Sequence, residues 1–166
     1  MNKPIFTTKV FTTQAVFTKT MQAALTLSLV LVSNFAAANI SENDIKQFAQ
    51  KMHQSANSKN IAQVSRLIGD DALISISRRG VTSTLDKSSY LNLLQTNWAK
   101  ATDYRYTIHI NNVISTGDQA KADIVTTEVI SENGKTLNMT TTSRATFSQT
   151  TKGVVLSRAI SQLTIQ

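Results

Sequence analysis

From Tyr104 to the end of the chain the side chains alternate instead of recurring at helical spacing. This change of period constrains the fold more than any other feature. Tyr104, Tyr106, Ile108 and Ile110 interleave with Arg105, Thr107, His109 and Asn111, a repeat of two that sends one set to each face of a strand. Gly117-Asp118 turns the chain into residues 120–130. Asn133-Gly134, where both positions tolerate positive φ, is the preferred two-residue hairpin turn into residues 137–150. Lys152-Gly153 leads into residues 154–165. Four long strands joined by short turns predict an antiparallel meander.

Before the switch the period is helical. Ser41 followed by Asp44 has the form of a helix start, and Ile45, Phe48, Ala49, Met52 and Ala56 then make one apolar stripe. Asn57-Ser58-Lys59-Asn60 breaks this helix. Ile61, Val64, Leu67 and Ile68 make a shorter second one, stopped by Gly69. Ala72, Ile74 and Ile76 alternate with polar neighbours as a strand, and Arg78-Arg79-Gly80 turns into a short β-branched run at 81–84. Asp86 can cap a third helix whose one face would carry Tyr90, Leu93, Leu94, Trp98 and Ala101.

Residues 1–38 have another character. Lys3, Lys9 and Lys19 are their only charges, residues 21–35 form an apolar run, and Ala36-Ala37-Ala38 follows. A positive start, an apolar core and small residues at the cut describe a secretory signal peptide, cleaved between Ala38 and Asn39. The apolar run falls short of a bilayer span, because Ser33 and Asn34 interrupt it. No stable membrane insertion is expected after cleavage. The expected location is periplasmic or secreted, with 39–166 as a single domain. Three of the 17 Lys and Arg lie in the leader and all 10 Asp and Glu lie beyond it, which leaves the domain at +4. So small an excess gives no support for nucleic-acid binding. The chain has no Cys, so disulfides, thiolate metal sites and lipid attachment at a cysteine are excluded.

Three segments carry a resemblance. Leu67-Ile68-Gly69-Asp70-Asp71-Ala72-Leu73-Ile74 is like a helix-to-strand join, Asp86-Lys87-Ser88-Ser89-Tyr90-Leu91 like a third-helix start, and Thr151-Lys152-Gly153-Val154-Val155 like a last hairpin. Together with the element order, they make residues 41–166 resemble the nuclear transport factor two-like superfamily, which includes the SnoaL-like and ketosteroid-isomerase-like families. The resemblance implies an α+β fold in which three helices pack on a strongly curved, mostly antiparallel sheet, a cone or half-barrel with one open end. The concave side would then hold Tyr90, Leu93, Leu94, Trp98, Tyr104, Tyr106, Ile108, Ala122, Ile124, Met139, Ala145 and Phe147. The convex side would hold Arg105, Thr107, His109, Val125, Thr127, Val129, Thr140, Thr142 and Arg144. That side is rich in Thr and Val, which a sheet-to-sheet homodimer would explain, as in many members of the superfamily.

The search for chemistry excludes more than it finds. His53 and His109 are the only histidines and stand in no metal-binding spacing, so no metal and no cofactor is expected. No Gly-x-Ser-x-Gly elbow and no glycine-rich phosphate loop is present. Acid–base chemistry is the enzymatic option, since members of this superfamily sometimes hold a carboxylate and a tyrosine in an apolar pocket. Strand parity offers Glu128, with Tyr90 or Tyr106 as hydrogen-bond donors beside it and Tyr90, Trp98 and Tyr106 as lining. Its closeness to the Asn133-Gly134 turn favours a frayed, solvated glutamate instead. No match exists to the catalytic Asp or His of the isomerase or dehydratase members. The leading expectation is a non-catalytic exported domain that binds a small apolar ligand or a protein partner. The alternatives are a small isomerase, dehydratase or hydrolase using Glu128, and an envelope scaffold or assembly factor.

Overall fold

The structure, a computed structural model, describes residues 39–166. The expected leader, 1–38, lies outside the described residues. Helix α1 spans Glu42–Asn57 and opens on a reciprocal cap: the Ser41 hydroxyl accepts from the Asp44 N–H at 3.2 Å and the Asp44 carboxylate accepts the Ser41 N–H at 2.8 Å. Two donors that the first turn cannot pair are satisfied this way. Ile45, Phe48, Met52 and Ala56 form its buried stripe. Lys59, at φ 52°, reverses the chain, and Asn60 caps α2, Ile61–Leu67.

The second helix ends sooner than its sequence suggests. Ile68 is already extended, 1% exposed, and paired with Leu156, so strand β1 runs Ile68–Arg78. A β-branched residue wanted in both core and sheet overrides the helical repeat. Gly69 therefore stops no helix. It sits inside β1, where an added Cβ would lie 3.3 Å from the Leu156 carbonyl oxygen. Asp70 is also in the strand and binds Lys87 Nζ at 2.8 Å.

Arg79 and Gly80, at φ 50° and 80°, turn into β2, Val81–Asp86. Asp86 then caps α3, Lys87–Lys100, by accepting from the Ser89 N–H at 2.7 Å. The rest is strand: β3 Asp103–Thr116, β4 Gln119–Glu132, β5 Lys135–Thr150 and β6 Gly153–Ile165. The six strands form one sheet in the order β2-β1-β6-β5-β4-β3. All pairs are antiparallel except β1 with β6, so the last strand lies in the interior of the sheet between β1 and β5.

The helices cover one face of the sheet, with α1 against β3 and β6 and α3 against β1 and β2. Phe147, fully buried on β5, meets Phe48 of α1 edge-on, with ring centroids 4.9 Å apart and planes at 73°. Such a contact adds about 0.5–1.5 kcal/mol beyond the burial itself. Register shifts at Asn111/Ile114 and Thr146/Phe147 mark bulges, which bend their strands and increase twist.

Two side chains fasten the helices. The Asn57 amide accepts from the Tyr106 N–H and donates to the Tyr106 carbonyl, both at 2.8 Å, so it pairs with the outer edge of β3 as a further strand would. Lys59 Nζ donates to the Trp98 and Ala101 carbonyls at 3.2 and 3.1 Å, closing the C-terminus of α3 with a positive charge.

Leu93 departs from its expected place. It is 41% exposed, whereas Tyr90, Leu91, Leu94, Trp98 and Ala101 pack on the core. At about 100° per residue these five cluster near one direction, and Leu93 falls roughly 110° away from it. The opposite face of the sheet carries a row of four threonines, Thr107, Thr127, Thr140 and Thr164, directly across from one another on β3, β4, β5 and β6.

Candidate functional site

The chain has three tyrosines and one tryptophan, and all four gather on the helix-covered face around one carboxyl group. Glu128 on β4 lies across from Tyr106 on β3 and from Met139 on β5. Tyr104, two residues before Tyr106 and so on the same face, donates its hydroxyl to Glu128 Oε2 at 2.9 Å. Tyr90 and Trp98 descend from α3, two turns apart on the same helical stripe. The Trp98 and Tyr104 rings meet edge-on, with centroids 5.8 Å apart and planes at 68°.

Strand parity puts these groups together. In a pleated strand, residues two apart share a face, so Tyr104 and Tyr106 point inward with Glu128 and Ile130 of the partner strand. The ladder continues past Glu128 to the pair Glu132–Lys135. The strand end therefore does not fray at Glu128, and the expectation of a solvated glutamate is corrected. The expected donors are corrected too. Tyr90 and Tyr106 stand close to the carboxyl, but Tyr104 makes the hydrogen bond.

The electrostatics follow from burial. Desolvation pushes the Glu128 carboxyl above the ordinary glutamate range, and the Tyr104 hydrogen bond opposes part of that rise. Desolvation likewise raises Tyr90, Tyr104 and Tyr106, and the nearby Glu128 charge adds to each. All three stay neutral phenols. Tyr90 is half-buried as a residue.

Trp98 contributes a buried indole N–H without a hydrogen-bond partner. It lies near enough to the Tyr104 oxygen to favour the phenolate slightly, yet outside hydrogen-bond geometry. A buried donor left unpaired costs about 1–3 kcal/mol. Together the cluster offers a carboxyl with a raised pKa, three phenols and a free indole donor among apolar walls. It can hydrogen-bond an oxygen of a largely apolar molecule, and its carboxyl holds a proton more readily than an exposed glutamate does.

A cleft of about 400 Å³ opens beside the cluster, between Asn97 and Lys100 of α3 and the β4–β5 hairpin. Its wall includes Ile130 and Met139, the cross-strand partners of Tyr104 and Glu128. Lys100, Glu132 and Lys135 stand at its rim.

The four residues singled out from the sequence, Tyr90, Trp98, Tyr106 and Glu128, are thus brought together, and Tyr104 joins them. Its identical parity to Tyr106 was the available signal. The histidines stay apart: His53 is exposed on α1 and His109 on the outer face of β3. Among the described residues no three His, Cys, Asp or Glu side chains converge.

No protein-family model matches the chain, and no curated protein matches it either. Solved structures do. A conserved protein from Planctomyces limnophilus superimposes with a TM-score of 0.66 at 12% identity, over 75% of this chain and 97% of that one. A proposed dehydratase of the NTF2-like family from Streptomyces avermitilis gives 0.57 at 14%, over 72% and 93%. A proposed scytalone dehydratase from Novosphingobium aromaticivorans gives 0.60 at 11%, over 75% and 84%. Three helices on a six-stranded mixed sheet, matched along most of each relative, give this chain the NTF2-like fold.

Proposed function

We propose that the domain is a binding cone for a small, largely apolar molecule carrying a hydrogen-bonding oxygen. One observation carries this reading: every tyrosine and the single tryptophan of the chain surround Glu128, with the Trp98 N–H buried and unpaired beside the Tyr104–Glu128 hydrogen bond. A ligand oxygen would satisfy that donor. The cleft lined by Ile130 and Met139, the cross-strand partners of Tyr104 and Glu128, would be the way in. Titration calorimetry with 2-naphthol tests it. Saturable binding that weakens in Glu128→Ala and Trp98→Phe is expected, and binding indifferent to both would refute the site.

A second reading is favoured by the raised carboxyl. Glu128 would act as the proton acceptor or donor of a small isomerase or dehydratase, the class to which two of the fold relatives have been assigned. Deuterium incorporation next to the carbonyl of cyclohexanone, lost in Glu128→Gln, would support it. No exchange above buffer would argue for binding alone.

The domain is further proposed to work outside the cytoplasm as a homodimer. Ile40, 1% exposed, is the first core residue among the described residues, and a cut after Ala38 would keep it. The outer sheet face, with its threonine row and Ile160 at 59% exposure, suits a second copy. Sedimentation at twice the monomer mass, lost in Thr127→Arg, is the expected result. N-terminal sequencing of the exported protein should begin at Asn39.

A further inference from the structure

A second concavity of about 440 Å³ lies away from the tyrosine cluster, between α1, α2 and the β5–β6 turn. This volume falls in the range of small-molecule sites, about 300–1,000 Å³. Its floor is apolar, made by Phe48, Leu67 and Val154. Its walls carry three cations from three different elements, Lys51 of α1, Arg66 of α2 and Lys152 of the last turn. None of the three forms an ion pair within 4 Å among the described residues.

Among the described residues, the acidic groups nearby form no ion pair with these cations. Asp44, the one acid in the lining, holds both the N–H and the hydroxyl of Ser41 through Oδ2. Asp70 feels Lys152 only weakly beside its ion pair with Lys87. Between the cations stand amides. Ser55, itself 3% exposed, donates to Gln63 Oε1 at 3.2 Å, which engages the amide oxygen and leaves its NH₂ to donate. Converging cations bind negative oxygens, and oriented amides over an apolar floor bind hydroxyls and a ring face.

We infer that this groove is a binding site for an acidic saccharide of about disaccharide size, recognised by Lys51, Arg66 and Lys152 through its anionic groups and by Gln63 through a hydroxyl. Neither a neutral sugar nor a bare anion uses the whole arrangement. The inference is independent of the tyrosine cluster, whose occupant would be apolar.

The test is a titration of the full chain, followed by NMR, with an unsaturated heparin disaccharide as probe and with cellobiose and sulfate as controls. Saturable shifts at the Gln63 side chain and the Lys152 amide are expected. Affinity should fall about tenfold in Arg66→Ala/Lys152→Ala and should weaken as salt rises. Gln63→Ala should weaken the disaccharide and leave sulfate unchanged. The proposal is overturned if nothing saturates below about 10 mM, if cellobiose or sulfate binds as well as the acidic disaccharide, or if the double variant binds like the parent. Trp98→Phe should leave the titration unchanged, and a change there would place the probe in the cone instead.

Discussion

Glu128 faces Tyr106 across the β3–β4 ladder, yet its carboxylate accepts its hydrogen bond from Tyr104, two residues along the same strand, at 2.9 Å. The diagonal matters because it leaves the directly opposed Tyr106 hydroxyl uncommitted to Glu128. The donor ring, Tyr104, also meets the Trp98 ring edge-on. Removing the donor should raise the carboxyl further, since that hydrogen bond is the influence holding it down. In Tyr104→Phe the Glu128 midpoint, followed by carboxyl carbon NMR, is expected to move upward. Stability should fall by about 1 kcal/mol. An unmoved midpoint would show that the bond does not persist in solution.

The same carboxyl predicts a pH dependence. Its folded-state pKa is raised above the unfolded value, so the native state holds the proton more tightly than the unfolded chain does. The stabilising contribution is complete below the unfolded pKa. It is lost as pH rises through the folded pKa, and above that the buried charge is a standing cost. Glu128→Gln removes the titration. Measured by urea unfolding, the variant should gain on the parent as pH rises from the unfolded to the folded pKa, and the two curves should run parallel above the folded pKa.

Asn57 closes the free edge of β3 with two amide hydrogen bonds to the Tyr106 backbone. Asn57→Ala is expected to cost about 1–3 kcal/mol, because it strands a backbone donor and acceptor at the join of α1 and the sheet. Amide exchange at Tyr106 should quicken well beyond that of β5.

Ile40 is buried to 1% and its N–H donates to the Gly117 carbonyl at 3.0 Å. Ile40→Ala should cost about 2–5 kcal/mol, as for other large-to-small core changes. A chain starting at Ser41 should be destabilised to a similar degree, whereas one starting at Asn39 should match the full chain in thermal denaturation.

Much of this was legible in the residues. The alternation beginning at Tyr104 and the Asn133-Gly134 turn fix β4 against β5, since a two-residue turn leaves a single register. The cap residues Ser41 and Asp86 announce their helices chemically. The register of β3 against β4 was not readable in the same way. The hairpin at Gly117-Asp118 pairs Thr116 with Gln119, and that register carried straight on would set Thr107 across from Glu128. The bulge between Asn111 and Ile114, with Asn112 at φ 53°, slips the ladder by one residue and brings Tyr106 there instead. Nothing in the composition around Asn112 announces an extra residue. Identifying Tyr104 as the donor required that slip to be known. Leu93 was misplaced for a different reason: a spacing of three from Tyr90 fits a helical stripe, and only the full set of packed neighbours shows on which side the stripe is centred.

The parallel pairing of β6 with β1 sets an order on assembly. β6 fills the gap between β1 and β5, so the half of the sheet that precedes α3 cannot join the half that follows it until the C-terminal strand has arrived. Contacts of such long sequence separation form late and slowly. While the chain is being synthesised, the ribosome must release nearly all of it before the sheet can be sealed. Until then both flanks of the vacancy are open to chaperones or to another unfinished copy.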